Sequence, residues 1–207
     1  MQITSKRQLK FVLQADYMMN RGKFKPSIAD RIHNIFSPDY IMSYLIAMRK
    51  TSYYRPSRGL FGRLCFLWHY NKYKRLGLKL GFSIGYHALG YGVVIPHYGT
   101  IVIGETNRIG NFAVIHTSTC ITDNGKVIGD GLYLSAGVKM TSKLVLGDNA
   151  LIGSNSLVNK SFEKNNLIIC GAPATIVKNG GTWYGQSLFE DRRNMILELK
   201  TKYEQGK

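Results

Sequence analysis

The 207-residue sequence has few acidic residues, few cysteines and no long apolar run. Because no stretch of about twenty consecutive apolar residues occurs, no membrane-spanning helix is expected. The first ten residues open no apolar segment of the kind that indicates a signal peptide. The three cysteines, Cys65, Cys120 and Cys170, are an odd and scattered set. They favour buried thiols in a reducing, cytoplasmic location over a disulfide framework.

The scarcity of acid is greatest in the first part of the chain. Residues 1–80 hold sixteen Lys or Arg against three acids, whereas the remaining 127 residues hold twelve against nine. The whole chain has a formal net charge of +16. One end of the molecule is therefore expected to attract anionic partners, such as membrane lipid, acidic glycan, nucleic acid or a phosphorylated cofactor.

Glycine, in contrast, is abundant, and its placement belongs to a six-residue repeat over residues 83–162. With one extra residue at Asn107 and one at Lys126, the second position is aliphatic or Met in eleven of thirteen hexads. Those positions are Ile84, Gly90, Pro96, Val102, Ile109, Ile115, Ile121, Ile128, Leu134, Met140, Leu146, Ile152 and Val158. Neither a helix nor ordinary strand alternation has this period. It is typical of a triangular coil with three hexads in each turn of about eighteen residues. An ordinary β-sandwich has no reason to keep such a register.

The sequence therefore predicts a mainly β protein with three segments. Residues 1–80 form a basic helical region, residues 81–178 a β-helix, and residues 179–207 a linker and a C-terminal helix. Apolar residues spaced three and four apart indicate helices near residues 11–18, 41–48 and 60–70. The basic region is expected to cap the open end of the β-helix. Peripheral contact with a membrane is an alternative to this role or an addition to it. Nucleic acid is not an expected partner, because no recognised binding module is present.

Two motifs carry a resemblance to a known family. The segment GYGVVIPHYGTIVIGET (residues 90–106) and the closing motif Gly171-Ala172-Pro173-Ala174 are similar to the hexapeptide-repeat acyltransferase superfamily. Within it the chain resembles the serine acetyltransferase-like branch, over roughly residues 80–178. The resemblance implies left-handed coils, a homotrimer with active sites between subunits, and acetyl-CoA as the co-substrate.

His97 is the predicted general base, because the related acetyltransferases keep their catalytic histidine at this place in the motif. Neutral imidazole suits the role, since an unperturbed pKa of about 6.5 lies near working pH. The alternative is a surface histidine at a corner of the coil. His116 is expected on the same edge one rung away, where it either positions the acceptor and tunes His97 or is merely a stacked edge residue.

Glu105 matches a glutamate near the family's active site, and it either orients His97 or the acceptor or lies on a solvated edge. The acid that holds the histidine in related enzymes falls near Phe82 here, so a backbone carbonyl or another acid such as Glu105 has to replace it. Two histidines one rung apart also suggest metal binding, as in β-helical carbonic anhydrases. No metal is expected, because a suitably placed third ligand is missing.

The resemblance also implies where acetyl-CoA binds. Small residues allow a flat pantetheine chain to approach the backbone, and the closing motif flanks the adenine. The implied contacts are Ser135, Ala136, Gly137, Gly153, Ser154, Gly171, Ala172 and Pro173. Lys160 and Lys178 are expected to meet the CoA phosphates, unless they serve only solubility.

The acceptor is expected to be a sugar hydroxyl of a capsular, exo- or lipopolysaccharide or its precursor. Serine acetyltransferases have an acid where this chain has Pro96, and a long loop with an Arg-His pair where it has the short segment 123–126. A serine O-acetyltransferase of cysteine biosynthesis stays open as an alternative, as does a non-enzymatic β-helical scaffold that binds membrane or acidic polymer. Xenobiotic acetyltransferases of this fold carry a long extruded loop that the sequence lacks.

Overall fold

A computed structural model describes residues 1–56, 59–185 and 187–205. Its helices are α1 (Lys6–Arg21), α2 (Ile28–Phe36), α3 (Tyr40–Tyr54), α4 (Leu60–Leu80) and α5 (Leu188–Glu204). Its strands are β1 (Phe82–Ile84), β2 (Ile101–Ile103), β3 (Arg108–Ile109), β4 (Val114–Ile115), β5 (Thr119–Ile121), β6 (Val127–Ile128), β7 (Tyr133–Leu134), β8 (Lys139–Met140), β9 (Val145–Leu146), β10 (Leu151–Ile152), β11 (Leu157–Val158), β12 (Leu167–Gly171) and β13 (Ala174–Asn179).

The strands wind into a left-handed parallel β-helix of about five turns, which confirms the predicted fold. Face 1 stacks β1, β2, β5, β8 and β11, and face 2 stacks β3, β6 and β9. Face 3 stacks β4, β7, β10 and β12 in parallel, and β13 closes it with an antiparallel pairing to β12. Each strand supplies few residues because the chain turns a corner after every one.

One column of apolar side chains per face fills the interior. Every member is at most 7% exposed, so burial of these columns is the main stabilising term. On face 1 the column is Ile84, Ile103, Ile121, Met140 and Val158. On face 2 it is Leu89, Ile109, Ile128, Leu146 and Phe162. On face 3 it is Ile95, Ile115, Leu134, Ile152 and Ile169.

The predicted register was wrong in the first coil and correct from Ile109 onward. Gly90, Pro96 and Val102 each lie one residue away from the inward positions, which are Leu89, Ile95 and Ile103. The extra residue predicted at Lys126 is confirmed, since seven residues separate inward Ile121 and Ile128. The one predicted at Asn107 is not. The surplus instead lies between Ile95 and Ile103, eight residues apart, in the exposed segment that carries His97.

The start of the β-helix has no preceding coil, and two buried side chains bind its backbone instead. Arg49 of α3 donates from Nη1 to the carbonyl of Leu89 at 2.8 Å and from Nη2 to the carbonyl of Gly90. Asp16 of α1 accepts from the amide of Gly92 at 2.8 Å. Arg49 and Asp16 also pair with each other at 2.8 Å, with 0% and 1% of their side chains exposed. The expected cap over the open end is therefore present.

Of the remaining helices, α4 packs on α3 and β1, and α5 packs on α1 beside the outer side of face 3. The division into three domains stays a prediction, with bounds at residues 1–80, 81–178 and 179–207. The helices α3 and α4 share the core of the coils, and Ile196 of α5 packs with α1. The short helix α2 was not predicted; Ser27 and Asp30 start it with a capping box. None of the helices in the described ranges is long and apolar enough to cross a bilayer. The three cysteines are unpaired and only half-buried.

Gly90 is a position where stacking requires the absence of a side chain. A Cβ there would lie 2.5 Å from the carbonyl oxygen of Gly110 in the next coil. We expect Gly90→Ala to lower the free energy of unfolding by about 2 kcal/mol or more, because backbone rather than a flexible side chain must move. Gly59→Ala is the matched control, since nothing lies within 4 Å of its Cβ. Urea denaturation of both variants checks this, and equal stabilities would contradict it.

Candidate active site

The edge between face 3 and face 1 carries both predicted histidines and most of the predicted small residues. Each residue that follows an inward position of face 3 stands directly over its counterpart in the next coil. The amide of His116 donates to Leu134 at 3.1 Å, that of Ser135 to Ile152 at 3.0 Å, and that of Gly153 to Ile169 at 2.9 Å. The structure thus aligns His116, Ser135 and Gly153 in one column.

His97 lies at the start of this edge and is exposed. Its segment is tied to the end of α4, because the amide of Gly99 donates to Leu80 at 2.9 Å and that of Ile101 to Gly81 at 3.0 Å. Of the described residues, none hydrogen-bonds to the His97 imidazole. A fixed backbone and a free ring nitrogen are what a base needs in order to accept a proton from a bound hydroxyl.

His116 is the neighbour of His97, with ring centroids 6.3 Å apart. Its Nε2 lies 2.9 Å from the hydroxyl of Tyr133, whose ring contacts Trp183 at 5.4 Å. Burial, and then the charge of His97, lower the pKa of His116 below its usual 6.5. His116 is therefore neutral at pH 7 and held by Tyr133. Sequence reasoning missed Tyr133 and Trp183, since neither has a motif around it.

The pKa of His116 should respond to its neighbours. At a pH just below the pKa of an ordinary histidine, the His116 ring stays neutral, because burial disfavours its imidazolium form and a protonated His97 repels that charge. We expect the His97→Gln variant to raise the pKa of His116 toward 6.5, as measured by NMR titration of the ring protons. His33→Gln, a change on a separate helix, is the control. An unchanged or lower His116 pKa in His97→Gln would contradict the interaction.

Glu105 lies on a different edge, between face 1 and face 2. It is exposed and lines a shallow polar groove with Tyr73, Lys74 and Ser83. Within one chain it is therefore not placed to orient His97. Phe82 is buried in face 1. Among the described residues, no carboxylate takes the position next to His97.

The predicted acetyl-CoA contacts divide in the same way. Ser135, Ala136, Gly137, Gly153 and Ser154 lie on the His97 edge. At Gly153 an added Cβ would collide with the sulfur of Cys170, so glycine is required there for stacking as well as for a flat surface.

The closing motif continues that edge at its far end. The connection from β12 to β13 exposes Gly171, Ala172 and Pro173. Lys178 is exposed on β13. Lys160 instead follows β11 on the face 1–face 2 edge, with its Nζ 5.6 Å from the ring of Phe162. Within one chain, Lys178 lies opposite Ile168 on face 3 and Lys160 lies on another edge, so both phosphate contacts stay predictions.

No group of three or more His, Cys, Asp or Glu side chains able to hold a metal is found in residues 1–56, 59–185 and 187–205. The groups on the His97 edge are an imidazole pair, hydroxyls and backbone amides. Such groups can move a proton and bind a neutral or anionic ligand.

This fold and edge define a left-handed β-helix of the hexapeptide type, and the comparisons with known proteins agree. The chain is 32% identical over 114 residues to a serine acetyltransferase of Staphylococcus xylosus, covering 52% of this chain and 51% of that protein. It is 32% identical over 126 residues to the Staphylococcus epidermidis enzyme, covering 58% and 56%. The chain thus spans only about half the length of the curated relatives it matches. No protein-family model matches it.

Solved serine acetyltransferases have the same fold. The Neisseria gonorrhoeae structure superposes with a TM-score of 0.60 at 22% identity, covering 87% of this chain and 70% of that one. A serine acetyltransferase in complex with CoA gives a TM-score of 0.59 at 21% identity, covering 83% and 70%. These matches support the resemblance to the hexapeptide-repeat acyltransferase superfamily. The polysaccharide branch stays a prediction.

Proposed function

We propose that the chain is an acetyl-CoA-dependent O-acetyltransferase in which His97 is the general base. The observation that carries this is an exposed imidazole on a tethered segment, with no hydrogen bond to a described residue, at the head of an edge built from small residues. The sequence relatives, all named as serine acetyltransferases, support the same reaction class.

The chemistry is a direct transfer. Neutral His97 takes the proton of the acceptor hydroxyl as its oxygen forms a bond to the thioester carbonyl carbon. When the carbon–sulfur bond breaks, the CoA sulfur leaves as a thiolate and takes the proton from the imidazolium. No oxidant or metal is needed, and the base is restored. His116, kept neutral by burial, does not compete for the proton and leaves His97 free to become charged.

The acceptor is proposed to be a sugar hydroxyl. Pro96 provides no charge for an amino-acid ammonium, and the short turn at 123–126 folds back on its own coil. Asp123 accepts from the amide of Thr106 at 2.7 Å, and Lys126 donates to the carbonyl of Thr122 at 2.8 Å. This turn lies on the face 1–face 2 edge, so in the homotrimer proposed below it would leave room for a bulky glycan at the His97 edge of a neighbouring copy. Serine is the second candidate, because the relatives named above are serine acetyltransferases.

A homotrimer is part of the proposal. A single chain leaves the His97 edge on its surface, whereas a neighbouring copy would supply a second wall and place its own face 1–face 2 edge within reach. Glu105 and Lys160 would then contribute from the partner chain, if at all.

The deciding experiment follows release of the CoA thiol from acetyl-CoA with three acceptors: an acidic oligosaccharide, a neutral oligosaccharide and L-serine. Transfer to a glycan supports the proposal, and transfer to serine alone moves the assignment to the second candidate. A non-enzymatic scaffold would bind no acetyl-CoA in calorimetry, and that result would overturn both.

We further propose peripheral membrane contact through two exposed apolar stripes. On α4 the stripe is Leu60, Phe61, Leu64, Leu67 and Trp68; on α2 it is Ile28, Ile32, Ile35 and Phe36. Each of these side chains is more than half exposed. Arg63, Lys72 and Arg75 flank the α4 stripe, which favours an anionic lipid surface and disfavours a second, equally basic copy.

Vesicle co-sedimentation tests that contact. The protein should sediment with phosphatidylglycerol-containing vesicles and not with phosphatidylcholine alone, and Trp68→Glu should weaken binding about tenfold. Val177→Glu adds the same charge at a 60% exposed apolar site on β13 and should have little effect. Equal binding to neutral vesicles, or equal loss in the control, would count against the proposal.

A further inference from the structure

A cavity of about 700 Å³ lies between α2, the start of α3 and the segment that carries His97. Its walls include Tyr17, Arg31, His33, Asn34, Tyr40 and Tyr98. From α2, the side chains of Arg31, His33 and Asn34 line the cavity, while the apolar stripe of this helix is exposed to solvent. The volume falls within the usual range for small-molecule sites.

This cavity reaches the segment that carries the proposed base. Tyr98, the next residue after His97, forms part of its wall, and so does Leu80. The carbonyl of Leu80 accepts from the amide of Gly99 at 2.9 Å, so the cavity wall and the His97 segment are held together. A ligand that fills the cavity therefore contacts Tyr98, the residue that follows His97.

Two acids line the cavity, and each is already paired with a cation. Asp30 lies 2.6 Å from the ammonium of Lys23, and this contact, together with Ser27, lowers its pKa to about 2. Asp39 accepts from Nε of Arg21 at 2.8 Å.

Asp39 is used a second time, because it also caps α3 by accepting from the amide of Met42 at 3.0 Å. Arg31 has no ion pair or side-chain hydrogen bond with any residue in the described ranges. The unneutralised charge facing the cavity is therefore positive.

The wall is otherwise suited to a carbohydrate. Tyr17 and Tyr98 supply aromatic rings with a polar tip, whereas the ring of Tyr40 has the Nζ of Lys79 at 3.6 Å from its centroid. Asn34 and His33 add hydrogen-bonding groups. A free amino acid would need an unpaired carboxylate for its ammonium group, and the described part of the wall offers none.

We propose that this cavity is the acceptor subsite and that the acceptor is an anionic glycan, whose carboxylate or phosphate is bound by Arg31. The inference rests on the proposed acetyl transfer and adds the charge class of the acceptor. Arg31 is a binding residue here and takes no part in the chemistry.

Acceptor kinetics test this with a matched pair of variants. In Arg31→Ala, KM for a glucuronate-containing oligosaccharide should rise about tenfold, with kcat and KM for acetyl-CoA little changed. Lys25→Ala removes an equally exposed cation that does not line the cavity and should leave KM as it is. A phosphate-bearing sugar run in parallel distinguishes the two anions. Equal KM in both variants, or a neutral maltooligosaccharide used as well as the acids, would overturn the inference.

Calorimetry separates this failure from failure of the proposed function. Binding of the same oligosaccharides needs no turnover. If the enzyme is active but its Arg31→Ala variant binds the acidic glycan as tightly as the parent, the proposed subsite is wrong and the proposed acetyl transfer stands. If the protein is inactive but binds the acidic glycan through Arg31, the glycan site stands and the proposed acetyl transfer is wrong.

Discussion

Replacing His97 with alanine should lower kcat for acetyl transfer by about 10²- to 10⁴-fold, the range that loss of a general base produces. The acceptor hydroxyl then has no group to take its proton as it attacks the thioester. The affinity for acetyl-CoA should change little, because the small residues that would hold it are untouched. Steady-state kinetics and calorimetry on the same preparation measure the two effects.

The fold should survive this change. His97 is exposed, and no described residue hydrogen-bonds to its ring, so the free energy of unfolding should shift by less than about 0.5 kcal/mol. His116→Gln is the comparison: it keeps a polar side chain near Tyr133 and should lower kcat only about tenfold. Comparable losses in the two variants, or full activity in His97→Ala, would remove His97 from the role of base.

The largest expected effect on stability comes from Arg49→Met. The substitution leaves Asp16 buried without its cation and frees the carbonyls of Leu89 and Gly90 at the start of the β-helix. Removing one partner of a buried ion pair typically costs about 3–5 kcal/mol. Urea denaturation should show this loss as a lower midpoint with an unchanged slope.

Arg21→Met provides the contrast within the same region. Arg21 pairs with Asp39 near the surface, where 47% of its side chain is exposed. Exposed pairs are worth about 0–1 kcal/mol. If the two substitutions cost the same, the backbone contacts of Arg49 do not hold the cap in place.

The fold was predictable because its signal is repetitive. From Ile109 to Val158 the six-residue spacing is interrupted once, by the extra residue at Lys126, and one misread hexad does not alter the period. The register of the first coil was less accessible, since Gly90 and Pro96 already broke the pattern. One residue fewer between Ile84 and Leu89, together with two more between Ile95 and Ile103, shifts the count in the same way as one extra residue at Asn107 does. Only the strand pairing of Ile84 with Ile103 distinguishes the two.

The site was predictable only where a motif or the period reached it. The position of His97 came from the resemblance, and the nearness of His116 from the near-repeat of the coil. Tyr133 lies on the outer side of face 3, where outward residues follow no rule. The cavity beside Tyr98 depends on α2, a nine-residue helix with no buried side chain, so no apolar pattern linked it to the rest of the chain.

The eight-residue step from Ile95 to Ile103 separates two properties that often conflict in enzymes: the stability of the fold and the freedom to change residues around the proposed base. Residues 96–100 contribute no side chain to the inner columns, whereas the neighbouring coils hold their shape through buried contacts and backbone pairing. Substitutions at Pro96, Tyr98 or Thr100 can therefore change the surroundings of the His97 imidazole without destabilising the stacked coils. Variation in selectivity should concentrate in this short segment and in α2, and engineering can begin there at little risk to folding.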